Sequence, residues 1–197
     1  MLGFLFGKQS DAEKILFKQF GRGNKNLNRI IRSIPVLSRK IYETSRTIAT
    51  RDIRSAVEEY GKKFGNRLLF QKITPERLKK LDLEVVSYFL YFVHKAINEI
   101  SNNEELNRSL VHAFHLELKK FFFMPEQHFI RYSQLYYSKT DLEVIRKKFT
   151  ANLANIITKK SDVALAATLM EICPMIEAMA ETIIGVIMLG QTPDKEK

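Results

Sequence analysis

Apolar residues recur at intervals of three and four along almost the whole chain, and no stretch of strand length alternates apolar with polar residues convincingly. That spacing gathers side chains on one face of a helix, so the predicted fold is all-α: a single-domain bundle of about six to eight helices. Ser10 and Glu13 form a capping-box pair ahead of Ile15, Leu16 and Phe20, predicting a first helix over Asp11 to Phe20 that stops at Gly21 and Gly23. From Asn24 to Ala49 a heptad runs, with Leu27, Ile34, Ile41 and Ile48 in one core position and Ile30, Leu37 and Thr44 in the other. Pro35 interrupts it; its ring removes a backbone donor and crowds the preceding turn, so one kinked helix or two shorter ones meeting near Ser33 are expected. A separate helix around Asp52 to Phe64 follows, with Gly61 to Asn66 as a candidate hinge.

Thr74, Pro75 and Glu76 make a helix start, and the helix they open runs to Ile100 with Leu81, Val85, Phe89, Val93, Ile97 and Ile100 on its apolar face. The polar run Ser101 to Glu104 turns it into a helix from about Glu105 to Phe122, giving an antiparallel hairpin. A short helix from Pro125 through Tyr136 is expected next, then one opened by Thr140 and Asp141 that carries Leu142, Ile145, Phe149, Leu153 and Ile156. Ser161 and Asp162 open the last helix, which bends at Pro174 and stops at Gly190. Residues 1–190 form the single domain in this reading, and residues 191–197 a polar C-terminal tail.

Charge adds what periodicity does not. The 197-residue chain has a formal net charge of +10, and the excess is uneven: residues 1–80 hold 19 Lys and Arg against 7 Asp and Glu, residues 161–197 hold 2 against 6. Such asymmetry points to a polyanionic partner, an anionic membrane surface or a nucleic acid. Lys25, Arg32, Arg39 and Arg46 recur every seven residues, opposite the apolar seam, and Arg22, Arg29, Arg51 and Arg54 widen the stripe. Guanidinium groups so placed offer bidentate donors to phosphate oxygens. No helix-turn-helix, zinc-finger or RNP pattern accompanies them, and the apolar start Leu2, Phe4, Leu5 and Phe6, beside Lys8, Lys14 and Lys18, either adds an interfacial foothold that nucleic-acid binding would not require or closes the core.

A second constellation suggests a ligand-binding alternative. All four histidines, His94, His112, His115 and His128, fall within a short span, and a hairpin turning near Asn102 would bring His94 level with His112. With Phe89, Phe92 and Tyr132 these would line a pocket for haem or an apolar small molecule, whereas aromatics at helical spacing ordinarily pack a core or a subunit contact. No cofactor is expected on the leading reading, and no metal: no glutamate is followed three residues later by histidine, and Arg108 and Lys119 surround His112 and His115 with positive charge. No catalytic residue is assigned, since the chain has neither a glycine-rich phosphate loop nor a nucleophile elbow.

Cys173 is the one cysteine, beside Pro174 in an apolar helix; it excludes an internal disulfide, suggests an inert buried thiol and fits a cytoplasmic address, with a peripheral membrane location if the partner is lipid. The stretch Val163 to Leu189 is read as a buried helix and not a membrane span, because Glu171, Glu177 and Glu181 interrupt it. Its alanines and methionines suit close helix packing, either as the central helix of the core or as the seam of a homodimer. The expectation is an interaction or adaptor domain, homodimeric, that docks its basic N-terminal helices on a polyanion.

Overall fold

Local capping decides where most helices begin in the computed structural model, which describes residues 10–65, 73–100, 102–121, 134 and 140–190. Helix α1 (Asp11–Phe20) has the full capping box: the Ser10 hydroxyl accepts from the Glu13 amide, and the Glu13 carboxylate accepts from the Ser10 amide at 2.6 Å. It ends at Gly21, whose φ of 72° only glycine adopts without strain. Asn24, Asn103, Asp141 and Asp162 cap the starts of α2 (Lys25–Thr47), α5 (Glu104–Leu118), α6 (Leu142–Thr158) and α7 (Val163–Met170) through their side-chain oxygens. Helix α4 (Pro75–Ile100) opens on proline as expected.

Of the two arrangements expected at Pro35 the structure has the single helix, and the segment after it differs from expectation. Helix α2 runs through Pro35 as one helix, with no break near Ser33. It then continues through a π turn (Ile48–Asp52) directly into α3 (Ile53–Lys63), where two separate helices were expected. The π turn has a simple reason. Extended past Ile48 in the same register, the heptad would bring Arg51, Ser55 and Glu58 into the core. One extra residue in the turn rotates the following helix by about 100° and inserts Ile53, Ala56 and Val57 instead, all buried. Arg51 and Arg54 stay outside. Gly61, proposed as part of a hinge, lies inside α3 and is buried.

Proline has a different effect near the C-terminus. Pro174 cannot donate to the carbonyl of Met170, so α7 ends there and the chain restarts as α8 (Cys173–Ile184), extended by a π turn (Gly185–Leu189). The two pieces are bent 44° apart. The single last helix of the sequence reading is therefore two helices broken at Glu171 and Ile172. Among the described residues, no single helix is long and apolar enough to cross a membrane.

Counted with their π turns, the described residues form seven helices around one continuous core. The central element is α4, not the last helix. Every residue from Glu84 to Leu90 is buried, as are Phe92, Val93 and His94, because α2, α5, α6, α8 and the first π turn surround it. The alanine-rich α7 is peripheral instead, with Val163 80% exposed. Aromatic rings fill the interior: Tyr88 stacks on Phe149 at 4.2 Å between ring centres and meets Phe92 edge-on at 5.4 Å. Apart from Gln134, which is helical, the expected helix from Pro125 to Tyr136 lies outside the described residues, as do the apolar start and the C-terminal tail.

Candidate functional site

Burial of one face of α2 sets what its other face can do. Ile30, Ile31, Ile34, Leu37, Ser38, Ile41, Thr44 and Ser45 point into the bundle. Lys25, Arg29, Arg32, Arg39, Lys40 and Arg46 are exposed on the opposite side, together with the single carboxylate Glu43. At 1.5 Å per residue, Lys25 to Arg46 spans about 30 Å. Val36, 54% exposed, sits in the middle of this face.

The proposed cations fall into two groups. Within α2 the only acidic neighbour is Glu43, whose carboxylate accepts from Arg39 at 3.1 Å in a solvent-exposed pair. Arg46 lies over the Tyr42 ring at 5.8 Å, and Arg22 over Phe17 at 5.1 Å. Beyond Thr47 the face is balanced: Arg51 pairs with Asp52 at 2.9 Å and Arg54 with Glu58 at 2.8 Å. These two belong to a mixed-charge surface, as expected of a solvated helix. Arg77, part of the same N-terminal excess, is spent inside: its guanidinium donates to the carbonyls of Ile156 and Ile157 at 2.8 and 2.6 Å, completing the C-terminal end of α6.

Arg29 marks where the cationic face meets the last helix. Gly190 ends the second π turn with φ of 66°, and a Cβ there would stand 2.9 Å from Arg29 Nη1. The positive φ favours glycine here, whereas the Arg29 guanidinium, at the end of a flexible side chain, could move aside. The start of α2 thus abuts the end of the last helix, and since α8 and its π turn both pack on α2, the two run antiparallel.

The structure describes the residues of the alternative ligand site only in part. Phe89 and Phe92 are packed in the core, and Tyr132 lies outside the described residues. His94 meets His115, not His112. Their Nε2 atoms are 3.1 Å apart, so one ring donates and the other accepts, in opposite tautomers. His115 lies one turn further along α5 than the predicted partner, because α4 and α5 cross with that register. Burial holds both rings neutral: it pushes His94 down to about 4 and His115 down to about 3, the latter helped by His94, His112 and Lys119 nearby. His112 is exposed and borders a shallow groove of about 280 Å³ between α1 and α5, lined mainly by Ala12, Ile15, Leu16, Ala113 and Leu116. Among the described residues, no three His, Cys, Asp or Glu side chains come together as metal ligands.

A buried polar node was not foreseen. Glu177 accepts from Arg146 Nε and Nη2 at 2.7 and 2.6 Å, and from the Tyr88 hydroxyl at 2.6 Å. This bidentate fork, closed by a phenol, ties α4, α6 and α8 together. Burial and the adjacent carboxylate push the Tyr88 hydroxyl far up, and burial beside Glu177 pushes the Cys173 thiol up to about 12. That thiol is the inert group the sequence suggests. Glu181, four residues on, is exposed and takes no part. The signal available in the sequence was a glutamate on an apolar helix, which demands a partner without naming it.

No protein-family model, no curated protein and no solved structure matches the chain.

Proposed function

We propose that the protein is an interaction module whose α2 face docks on a phosphate-bearing polyanion. One observation carries the reading: over about 30 Å of a helix packed from behind, α2 turns six exposed cations and one carboxylate of its own outward, with Asp82 of α4 near Arg46 at one end. A face with no electrostatic task ordinarily intersperses the two signs, as α3 does with Arg54 and Glu58. Each exposed cation contributes about 1 kcal/mol beside an anionic surface, so the set has value only together and in low to moderate salt. Arginines supply forked donors that match phosphate oxygens, and the backing core fixes their spacing without requiring a folding step on binding.

The test is binding of the intact protein to anionic vesicles and to duplex DNA at two ionic strengths. Affinity should fall steeply as salt rises. Changing Lys25, Arg32 and Lys40 together to glutamate should weaken binding by at least about 100-fold, three contributions of about 1 kcal/mol each, while the thermal melt is unchanged. Retained binding by this variant at full affinity would refute the assignment.

A further inference from the structure

We infer that the polyanion is an anionic lipid bilayer, and that the exposed strip Met175, Ala178, Thr182 and Val186 of the last helix lies against it beside the cationic face of α2. The inference rests on the docking reading above and names its partner. Its geometric basis is the antiparallel contact between α2 and the last helix, anchored where Arg29 reaches Gly190. The α2 flank turned toward that helix carries Arg29, Val36 and Lys40, the side opposite to where Ser38 bonds the Phe114 carbonyl of α5.

The strip itself is apolar over three turns. Met175 is 36% exposed and Val186 37%, and the exposed Thr182 has its hydroxyl donating back to the Ala178 carbonyl at 2.7 Å. Glu181 lies to the other side of the helix, near Lys95 and Glu99 of α4. The cationic face therefore has an apolar border, and an apolar residue, Val36, at its own centre.

Charge complementarity alone does not separate lipid from nucleic acid, but this border does. A duplex offers phosphates, sugars and base edges, and exposed aliphatic carbons beside a phosphate row gain nothing from them. A bilayer offers anionic headgroups over hydrocarbon, where the same carbons leave water while the cations stay at headgroup level. Lipid headgroups also diffuse sideways, so the roughly 10 Å heptad spacing of Lys25, Arg32, Arg39 and Arg46 needs no matching phosphate ladder. The aromatic ring on this part of α2, Tyr42, is half-buried and stacked on Phe121, so it offers no platform for a base.

Sedimentation of the full chain with phosphatidylcholine vesicles, with vesicles containing 30% phosphatidylglycerol, and with duplex DNA in a parallel filter assay tests the inference. The wild type should bind the anionic vesicles and prefer them to duplex. Changing Met175 and Val186 together to aspartate should lower vesicle affinity about tenfold or more without changing the melt. An environment-sensitive dye on Val186→Cys gives a second readout, since the buried Cys173 is shielded from labelling. Its emission should shift to the blue on anionic vesicles. A dye that stays water-exposed, or full vesicle affinity in the aspartate variant, overturns the apolar border. Binding to duplex but not to vesicles overturns the lipid assignment while leaving polyanion docking intact. Vesicle binding that ignores the charge reversal of α2 overturns both readings.

Discussion

Acidification from pH 7 to pH 5 should destabilise the bundle, through His94 and His115. Both rings are neutral in the fold, with pKa pushed down from 6.5 to about 4 and about 3 by burial. A histidine whose folded pKa lies below its unfolded value is easier to protonate once the chain opens. Stability is therefore complete above the unfolded pKa and falls as pH drops through 6.5, tenfold in the folding constant per pH unit for each ring, until the folded pKa is reached. At pH 5 this amounts to about 2 kcal/mol per ring, roughly 4 for the pair. Asp82 works in the opposite direction. Its half-buried carboxyl is raised to about 6 by burial, which outweighs the attraction of Arg46, so the fold gains about 1 kcal/mol on protonating it over the same interval. The expected net loss is about 3 kcal/mol, a large share of the 5–15 kcal/mol typical of a domain. Urea unfolding at pH 7 and pH 5 measures it. In His94→Gln with His115→Gln the pH-dependent loss should vanish, whatever the absolute stability. A wild-type free energy flat between the two pH values would mean that the rings accept protons inside the fold, and the burial argument would be wrong.

Breaking the buried node on one side, by Glu177→Gln or Arg146→Met, should cost about 3–5 kcal/mol in chemical denaturation, whereas Arg146→Met combined with Glu177→Leu should recover most of it; a single change with no measurable cost would show the pair to be solvated. Phe149→Ala, which removes a ring stacked on Tyr88 in a fully buried position, should lower stability by about 3–5 kcal/mol. Gly190→Ala should destabilise by about 1–2 kcal/mol for the left-handed backbone, and by much the same amount in an Arg29→Ala background because the flexible guanidinium can swing away from the new Cβ; a thermal melt showing no loss would contradict the left-handed backbone. Deleting Thr50 from the first π turn should be tolerated, since it restores a regular helix without shifting Ile53 from the core, while deleting Arg39 should unfold the protein, as thermal melts of the two would reveal.

What was readable beforehand was local. Helix α1 falls on its predicted bounds because Ser10, Glu13 and Gly21 act within one turn of its ends, and α4 starts at Pro75 for the same kind of reason. The outward position of Lys25, Arg29, Arg32, Arg39 and Arg46 follows from the heptad, which is equally local, and Lys40 joins them in the structure. Harder to foresee was anything requiring the register between helices. The His94 partner was misplaced by one turn, because a hairpin loop of unknown geometry fixes height only to within several residues. Arg146 and Tyr88 are 31 and 89 residues from Glu177, and no spacing rule connects them. The π turn escaped because helical period alone does not signal an extra residue; only the misfit of Arg51 and Glu58 to the continued heptad hints at it. The central role of α4 was masked by its polar residues Glu84, Ser87 and His94, which would mark a wet face if they lacked the interior partners that the fold provides, such as Asn152 for Glu84 at 2.7 Å.

Enclosure of α4 divides the molecule into two kinds of position. A change anywhere from Glu84 to His94 forces an answering change in a packed neighbour, so that stretch can drift only in concert with the helices around it. The outer side of α2 is held only by exposed, flexible contacts, such as Arg39 with Glu43, so its lysines and arginines can be gained or lost with little effect on the core. Descendants of this chain can therefore retune how strongly they adhere to a charged surface over many small steps, while the scaffold that presents those groups stays as it is.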